Sequence, residues 1–421
     1  MTATSGVPGT EPRRILYVTN GFPYPLTSGY LRHHFLIEQL AAAVHQVVLL
    51  SIVGADHRPE HAAAMAPITE RVETFRSLDR AAGSGRRMLR RVRRLLPGGG
   101  GDPAGIRLAT RAGEIVRGEP IDAVVFSGKR TDRTLAELAG LPVVVDMCDA
   151  TSLRLAREAA LAGPLRKIVL ALQGWQVRRT EARMLGRADR LLFASARDEE
   201  ALLPGGHEAR AAIVPNGVDT AFWTRTAPAL GVDEIAFTGA MSYAPNVDAA
   251  IRLARTILPI VRASVPGARV SIVGRDPAPS VRELATLPGV TVTGFVDDVR
   301  PYLDAAAVFA APLRFGAGIQ NKVLEAMSMA VPVVATGVAA DGLRTADGDT
   351  PPVAVVDDDA AFAAAIVAAL RRAAEDPTPD RVAREYVTRH FSWERSGRQL
   401  AELIEGAIAD RGATGGSSGD R

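Results

Sequence analysis

The stretch ILYVTNGFPYPLTSGYLRHHFLIEQLAAAVHQVVLLSIV, Ile15–Val53, begins with a short β-rich apolar run, passes into a helical period from Ser28 to Val44, and returns to an unbroken apolar run. Apolar runs without polar alternation are strands covered on both faces, and a strand, helix, strand order makes the two strands parallel. Working outward, AVVFS (Ala123–Ser127), PVVVDM (Pro142–Met147) and RLLFAS (Arg190–Ser195) repeat the pattern, separated by helix-like Ala/Leu/Arg segments. This alternation is the signature of a doubly wound α/β unit. The turn-rich VPNGVDTAFW (Val214–Trp223) and the aperiodic TRTAPALG (residues 224–231) then interrupt it. After them the alternation restarts with IAFTG, a helix from Asn246 to about Ala263, RVSIVG, VTVTG, AVFAAP, a helix from Gly318 to Met329, VPVVAT and PVAVV.

A length of 421 residues at roughly 150 per domain leaves room for two sizeable cores, and 47% hydrophobic with 23% charged residues is an ordinary globular composition. The formal charge of +3 excludes a global basic field for nucleic acid, so any anionic partner must meet a local patch. One cysteine, Cys148, excludes an internal disulfide and a Cys-based zinc cluster, and fits a reducing compartment. The N-terminus lacks the apolar core of a signal peptide, and no uncharged apolar run reaches the roughly 18 residues of a membrane span. A cytoplasmic location is therefore expected. Neither half has a GxGxxG after its first strand, and Pro23 and Pro25 stand where a dinucleotide turn needs glycines, which argues against a nicotinamide dehydrogenase.

Five landmarks, in order, carry a resemblance: IVPNGVDTAFW, FTGAMSYAPNVDA, SIVG, the long GFVDDVRPYLDAAAVFAAPLRFGAGIQNKVLEAMSMAVPVVAT, and FSWERSGRQL. Together they resemble the retaining family 4 glycosyltransferases of the GT-B fold, and the GAGIQNKVLEAM form is similar to the branch that includes sugar transferases of exopolysaccharide systems. The second half is covered almost throughout, the first only in its opening loop and layout. The resemblance implies two Rossmann-like domains facing a cleft, the first holding the acceptor and the second a nucleotide diphosphate sugar, with a last helix crossing back to the first. The expected division is a loose tail at residues 1–12, the acceptor domain at 13–222, the donor domain at 223–392, the crossover helix at 393–411 and a second loose tail at 412–421.

Gly316, Ala317 and Gly318 lie between a strand and a helix, where backbone amides and the helix dipole can receive a diphosphate. Lys322 and Glu325, three apart, share a face of that helix. By resemblance Lys322 pairs with phosphate and Glu325 accepts the ribose hydroxyls. Gly239 follows the first strand of the second half without the Arg and Lys that the family often carries there, which leaves Asn246 either assisting the phosphates or capping its helix. Arg275 approaches the nucleotide or is a surface arginine; Phe295 and Val296 flank a base or pack in the core. Many relatives have a second glutamate eight positions before Glu325, where this chain has Ala317.

In the first half, Ser28 and Gly29 form the acceptor-side loop and Arg32 sits on the first turn of the helix that follows. Asp146 and Asp149 end a strand at the carboxyl edge of the sheet and, with Arg32, are the catalytic candidates; Asp149 could instead cap a helix near Thr151. Many relatives have a histidine in this region, and its absence leaves the acceptor-side base open. No DxD ends a strand, Asp357-Asp358-Asp359 reads as a helix start, and neither a metal nor another cofactor is expected. Arg86–Leu96 places six arginines beside the apolar face Met88, Leu89, Val92, Leu95 and Leu96. It is open as a peripheral contact to anionic membrane, as a solvated helix, or as a site for acidic acceptors. Two rival functions remain at this level: a GT-B nucleotide-sugar epimerase, and a non-catalytic partner subunit that binds nucleotide.

Overall fold

The structure, a computed structural model, describes residues 11–26, 30–77, 103–205, 208–225, 233–345, 347–376 and 378–416. Ser28, Gly29 and the Arg86–Leu96 segment lie outside them. The chain divides into two compact units. The first takes residues up to Ala194, then Glu199–Pro215 and Trp393 onward; the second takes Ser195–Asp198 and Asn216–Ser392. The boundary falls before Asn216, upstream of the expected break at 222/223. The reason is that the turn from Asn216 to Trp223 is held by the second unit: Val218 N donates to Phe391 O at 2.8 Å, Ser328 Oγ to Trp223 O at 2.7 Å, and Arg384 to Thr220 O at 2.9 Å.

The first unit is built on a seven-stranded all-parallel sheet: β1 (Arg14–Thr19), β2 (Gln46–Val53), β3 (Arg71–Arg76), β4 (Ala123–Ser127), β5 (Val143–Cys148), β6 (Arg190–Phe193) and β7 (Ala211–Ile213), in the order β3-β2-β1-β4-β5-β6-β7. Side chains alternate across a strand, so Leu16 and Val18 enter one core while Ile15 and Tyr17 enter the other. Helix α1 (Leu31–Ala42) covers one face with Leu36, Ile37 and Leu40, and α2 (Pro103–Gly118) covers the opposite face with Ala104, Leu108, Ala112 and Ile115. Helix α1 begins at Leu31, not at Ser28, with Tyr30 as its N-cap. Helices α3 (Thr151–Ala160) and α4 (Pro164–Arg187) form a hairpin after β5. Strand β3 escapes the apolar pattern because it carries Arg71, Glu73 and Arg76 at the sheet edge, as edge strands do.

The second unit has six parallel strands: β8 (Glu234–Thr238), β9 (Arg269–Val273), β10 (Val290–Val292), β11 (Val308–Ala311), β12 (Val333–Ala335) and β13 (Ala354–Val355), ordered β10-β9-β8-β11-β12-β13. Helix α5 (Ala244–Arg252) runs through a π-helical turn at Leu253–Ile257 into a further helix ending at Ser264. Pro259 supplies no N–H to the ladder, and at the turn Leu258 N reaches back to Leu253 O. Helix α6 spans Asn321–Ser328, shorter than the Gly318 to Met329 expectation, and α7 (Asp359–Glu375) and α8 (Arg381–His390) follow. The Asp run does start a helix: Asp358 caps α7 by accepting from Ala360 N and Ala361 N, Asp357 accepts from Gly337 N, and Asp359 pairs with Arg252. The final helix, α9 (Trp393–Gly416), belongs to the first unit, where Leu400, Ile404 and Ala407 join the α1 side of its core. It runs five residues past the expected end at 411, so 412–416 is helix and not a loose tail.

In both sheets the strand order reverses once, between β1 and β4 and between β8 and β11, and each reversal opens a crevice at the carboxyl edge. In the second unit that edge is drawn tight where two strand exits touch. Gly274 has φ +151°, and a Cβ there would fall 1.7 Å from Gly239 O. Gly274→Ala should therefore cost roughly 2–5 kcal/mol through backbone strain and overpacking combined. Gly348, at φ +91° with open space around it, is the control: its alanine pays strain alone. Urea unfolding of the two variants measures the difference, and equal losses would contradict the packing account.

Candidate functional site

Three of the donor-side candidates, Gly239, Asn246 and Lys322, meet at the reversal between β8 and β11. Gly239 leaves β8 at φ +149°, its amide held by Val273 O at 3.0 Å, and Met241 N is tied to Arg275 O at 2.9 Å. Asn246 lies in the first turn of α5 and is not its N-cap, a position taken by Tyr243. Its side chain is buried, with Nδ2 donating to Ala240 O at 3.1 Å and Oδ1 without a hydrogen-bond partner among the described residues. A Cβ on Gly239 would lie 2.6 Å from Asn246 Nδ2 and 3.3 Å from Lys322 Cε, so the bare glycine is what allows these side chains to meet.

Lys322, half-buried in the first turn of α6, donates from Nζ to Gln320 Oε1 at 2.9 Å and stands 5.9 Å from the Phe237 ring centre. Burial pulls its ammonium down to about 8, against the opposing attraction of Glu325. Burial likewise pushes the Glu325 carboxyl up to about 7, against the pull of Lys322. Shifts of this kind mark groups held out of water without enough partners, a common property of binding sites.

The glycine loop is less open than its sequence implies. Gly318 N donates to Asp198 Oδ1 at 3.2 Å, and Gly318 O accepts from Arg197 at 3.1 Å. The expectation that Gly318 offers its amide to phosphate is corrected accordingly: a protein carboxylate already occupies it. Asp198 and Arg197, from SARDEE, are residues that sequence reasoning missed, because nothing local links them to a loop 120 positions away. Ala317 is buried, and its carbonyl accepts from Gln320 Nε2 at 3.4 Å; Gly316 packs beside the same amide side chain. Phe295 is 63% exposed, which removes the core-packing alternative for it, while Val296 is half-buried. Both follow β10 at the carboxyl edge. Arg275 is partly exposed and 3.6 Å from Asp276.

The first-unit candidates divide into two clusters. Arg32 and Asp146 are 2% and 0% exposed and pair at 2.9 Å; Arg32 also donates to Val214 O at 2.8 Å, and Asp146 Oδ1 accepts from Cys148 N at 2.9 Å. Burial works against the Arg32 guanidinium, but Asp146 holds its pKa above the ordinary value. Burial pushes neighbouring His33 down to about 4, so it is neutral, and its Nδ1 meets Tyr17 OH at 3.0 Å. Arg32 and Asp146, expected as catalytic candidates, are thus enclosed and pair their charges with each other. Potential metal-ligating atoms of His33, Asp146 and Cys148 fall within 4.8 Å of one another, but Arg32 and the Cys148 amide already engage both Asp146 oxygens.

Asp149 differs. It does not cap α3, whose N-cap is Ala150, but binds Lys129 Nζ at 3.1 Å and accepts from Thr151 Oγ1 at 2.8 Å. Burial raises its pKa, but Lys129 and the Thr151 hydroxyl hold it below the usual carboxylate range. Lys129 also reaches Asp149 O at 2.5 Å and stands 3.7 Å from Glu181. It follows β4 in the SGKRTD loop, at the β1/β4 reversal, and its position there was the signal available to sequence reasoning.

Residues 233–372 match the family model described as Glycosyl transferases group 1, so the second unit carries a glycosyltransferase group 1 domain. No curated protein matches the chain in sequence. The fold recurs in solved structures. Sucrose-phosphate synthase from Thermosynechococcus elongatus is 17% identical at a TM-score of 0.67, covering 94% of this chain and 100% of that one. Anabaena HepE in complex with UDP and glucose is 15% identical at 0.62, covering 94% and 100%. A glycosyltransferase from Rickettsia africae is 11% identical at 0.63, covering 95% and 99%. These likenesses establish the GT-B fold class, with two Rossmann-like α/β units.

The burial of this pair has a measurable consequence. Asp146→Ala leaves the Arg32 guanidinium buried without its carboxylate and should destabilise the first unit by about 3–5 kcal/mol, read as a lowered urea midpoint. A loss of activity with an unchanged midpoint would instead return Asp146 to direct contact with substrate.

Proposed function

We propose that the chain is a retaining glycosyltransferase that moves a sugar from a nucleotide diphosphate sugar to an acceptor hydroxyl. The observation that carries this reading is the convergence of Gly239, Asn246 and Lys322 at the β8/β11 reversal, inside the segment that matches the glycosyltransferase model. Lys322 there faces the diphosphate, with Asn246 assisting; Glu325 accepts the ribose hydroxyls, and Phe295, Val296 and Arg275 border the base. The UDP held by the Anabaena HepE structure makes UDP-glucose the first donor to try.

In the retaining reaction the acceptor oxygen bonds to the anomeric carbon on the face from which the diphosphate departs. The bond from that carbon to the phosphate oxygen breaks, and the acceptor's proton passes to the departing phosphate. Lys322 stabilises the charge that develops on the leaving group, a contribution that grows in a site shielded from water. Asp149, kept ionised by Lys129, is suited to accept hydrogen bonds from an acceptor hydroxyl. Arg32 and Asp146 hold the β5 exit that carries it. The acceptor is a glycan, a lipid-linked sugar or a small molecule.

Lys322→Ala and Glu325→Ala should each weaken donor binding about ten- to a hundredfold, the equivalent of about 1.5–3 kcal/mol for a charged hydrogen bond. The pH dependence follows from the same pair. Lys322 loses its charge as pH rises through about 8, and Glu325 loses its charge as pH falls through about 7. Affinity for a nucleotide sugar should therefore peak between these values; Lys322→Ala removes the alkaline limb and Glu325→Gln the acid limb. Calorimetric titration across pH checks both, and two variants that bind like the parent protein would refute the donor assignment. Formation of a nucleotide-sugar isomer without acceptor would replace transfer with epimerisation.

Metal independence is part of the proposal, because Lys322 takes the place of a cation and each carboxylate of Asp357, Asp358 and Asp359 is already engaged. Transfer should survive EDTA. Loss of transfer that manganese or magnesium restores would overturn this point.

A further inference from the structure

Helix α4 (Pro164–Arg187) has two unlike faces. Leu170, Gly174, Glu181 and Met184 are buried against the first unit. On the opposite face Leu165 is 83% exposed, Ile168 60%, Val169 47%, Leu172 48% and Trp175 53%. These five recur at helical spacing from Leu165 to Trp175, about 15 Å of helix, so they form one continuous apolar stripe. Single exposed apolar residues are ordinary, whereas a contiguous stripe marks a contact surface. Leu161, 51% exposed in the α3–α4 turn, extends it.

The charges around the stripe identify what it meets. Helix α4 carries Arg166, Lys167, Arg178, Arg179, Arg183 and Arg187, all exposed, and its one acidic residue, Glu181, is buried on the inner face. Arg166 pairs with Glu158 and Arg183 with Asp132, each at 2.6 Å, and the helix's remaining outward charges, on Lys167, Arg178, Arg179 and Arg187, are all cationic. A second copy of the same face would set like charges against each other, and so would the six-arginine Arg86–Leu96 segment. Trp175 borders the stripe with the Arg179 guanidinium 4.8 Å over its ring, an aromatic and a cation paired as they are at a lipid–water boundary. No helix among the described residues is long and apolar enough to cross a membrane, so the face would lie in the interface plane.

We infer that the exposed face of α4, from Leu165 to Trp175 with its flanking arginines and lysine, docks on an anionic lipid surface. The inference uses none of the donor-site residues and stands whether or not the chain transfers sugar. Apolar side chains enter the headgroup boundary while the basic residues attract the anionic headgroups, each charge near such a surface strengthening binding by about fivefold.

The test uses the full chain with vesicles of phosphatidylcholine alone or mixed with phosphatidylglycerol. The protein should co-sediment with the mixed vesicles and not with the neutral ones. Trp175 emission should shift to the blue on binding, and Trp175→Phe should abolish the shift while the protein still sediments. Ile168→Ser with Leu172→Ser, both at exposed positions, should weaken binding roughly tenfold or more, and Lys167→Gln with Arg178→Gln about fivefold per charge. Donor affinity should be unchanged in every variant. The inference is overturned if the parent protein ignores anionic vesicles or binds neutral ones equally. It is also overturned if both α4 variants bind as the parent does while charge removal in Arg86–Leu96 abolishes binding. Sedimentation of the parent as a dimer that Ile168→Ser with Leu172→Ser dissociates, without vesicle binding, would make the face a self-interface and overturn it too.

Discussion

The contact of Gly239 with Gly274 sets the geometry on which the candidate site of the second unit depends. Two adjacent parallel strands leave the sheet so close together that neither exit tolerates a side chain, and the space kept clear at Gly239 is where Asn246 and Lys322 enter. The reversal of strand order between β8 and β11 supplies the crevice, but the missing Cβ atoms decide how deep side chains reach into it. A glycine here is a steric requirement, in contrast to Gly348, whose positive φ faces open space.

Burial acts oppositely on the two charged sites. In the second unit it draws Lys322 down and Glu325 up, because neither has enough compensating partners, and both come to titrate close to neutral pH. In the first unit the Arg32 and Asp146 pair is enclosed but well bonded, and Arg32 stays firmly cationic. The difference separates a pair left short of partners from one whose charges are met inside the protein. Lys129 and Asp149 fall between these cases, ion-paired yet with Asp149 at the edge of the sheet and partly open.

The α3–α4 hairpin shows the same economy at the surface. One side of α4 closes the first unit's core through Leu170 and Met184, and the other leaves an apolar stripe that no described element covers. The cationic excess of α4, which remains after Glu158 and Asp132 pair with two of its arginines, is a local feature hidden by a net charge of +3 for the whole chain. Composition averages over surfaces, whereas docking depends on which residues share a face.

Sequence alone determined the two doubly wound units, since apolar runs such as VVLLSIV and VFAA can be buried only between helical layers, and the landmarks from Gly294 to Thr336 carried the glycosyltransferase resemblance. It also placed Lys322 and Glu325 on one short helix, because three-residue spacing is a local property. Tertiary structure decided the rest. Asp198 reaches Gly318 across 120 positions, Lys129 reaches Asp149 across 20, and Asp146 turns inward to Arg32 across 114. Asn246 was readable as a helix cap until the helix began at Ala244 and left its amide over Gly239. Whether a polar residue caps, pairs or waits for a ligand depends on what the fold brings beside it, and local periodicity contains no information about partners distant in the chain.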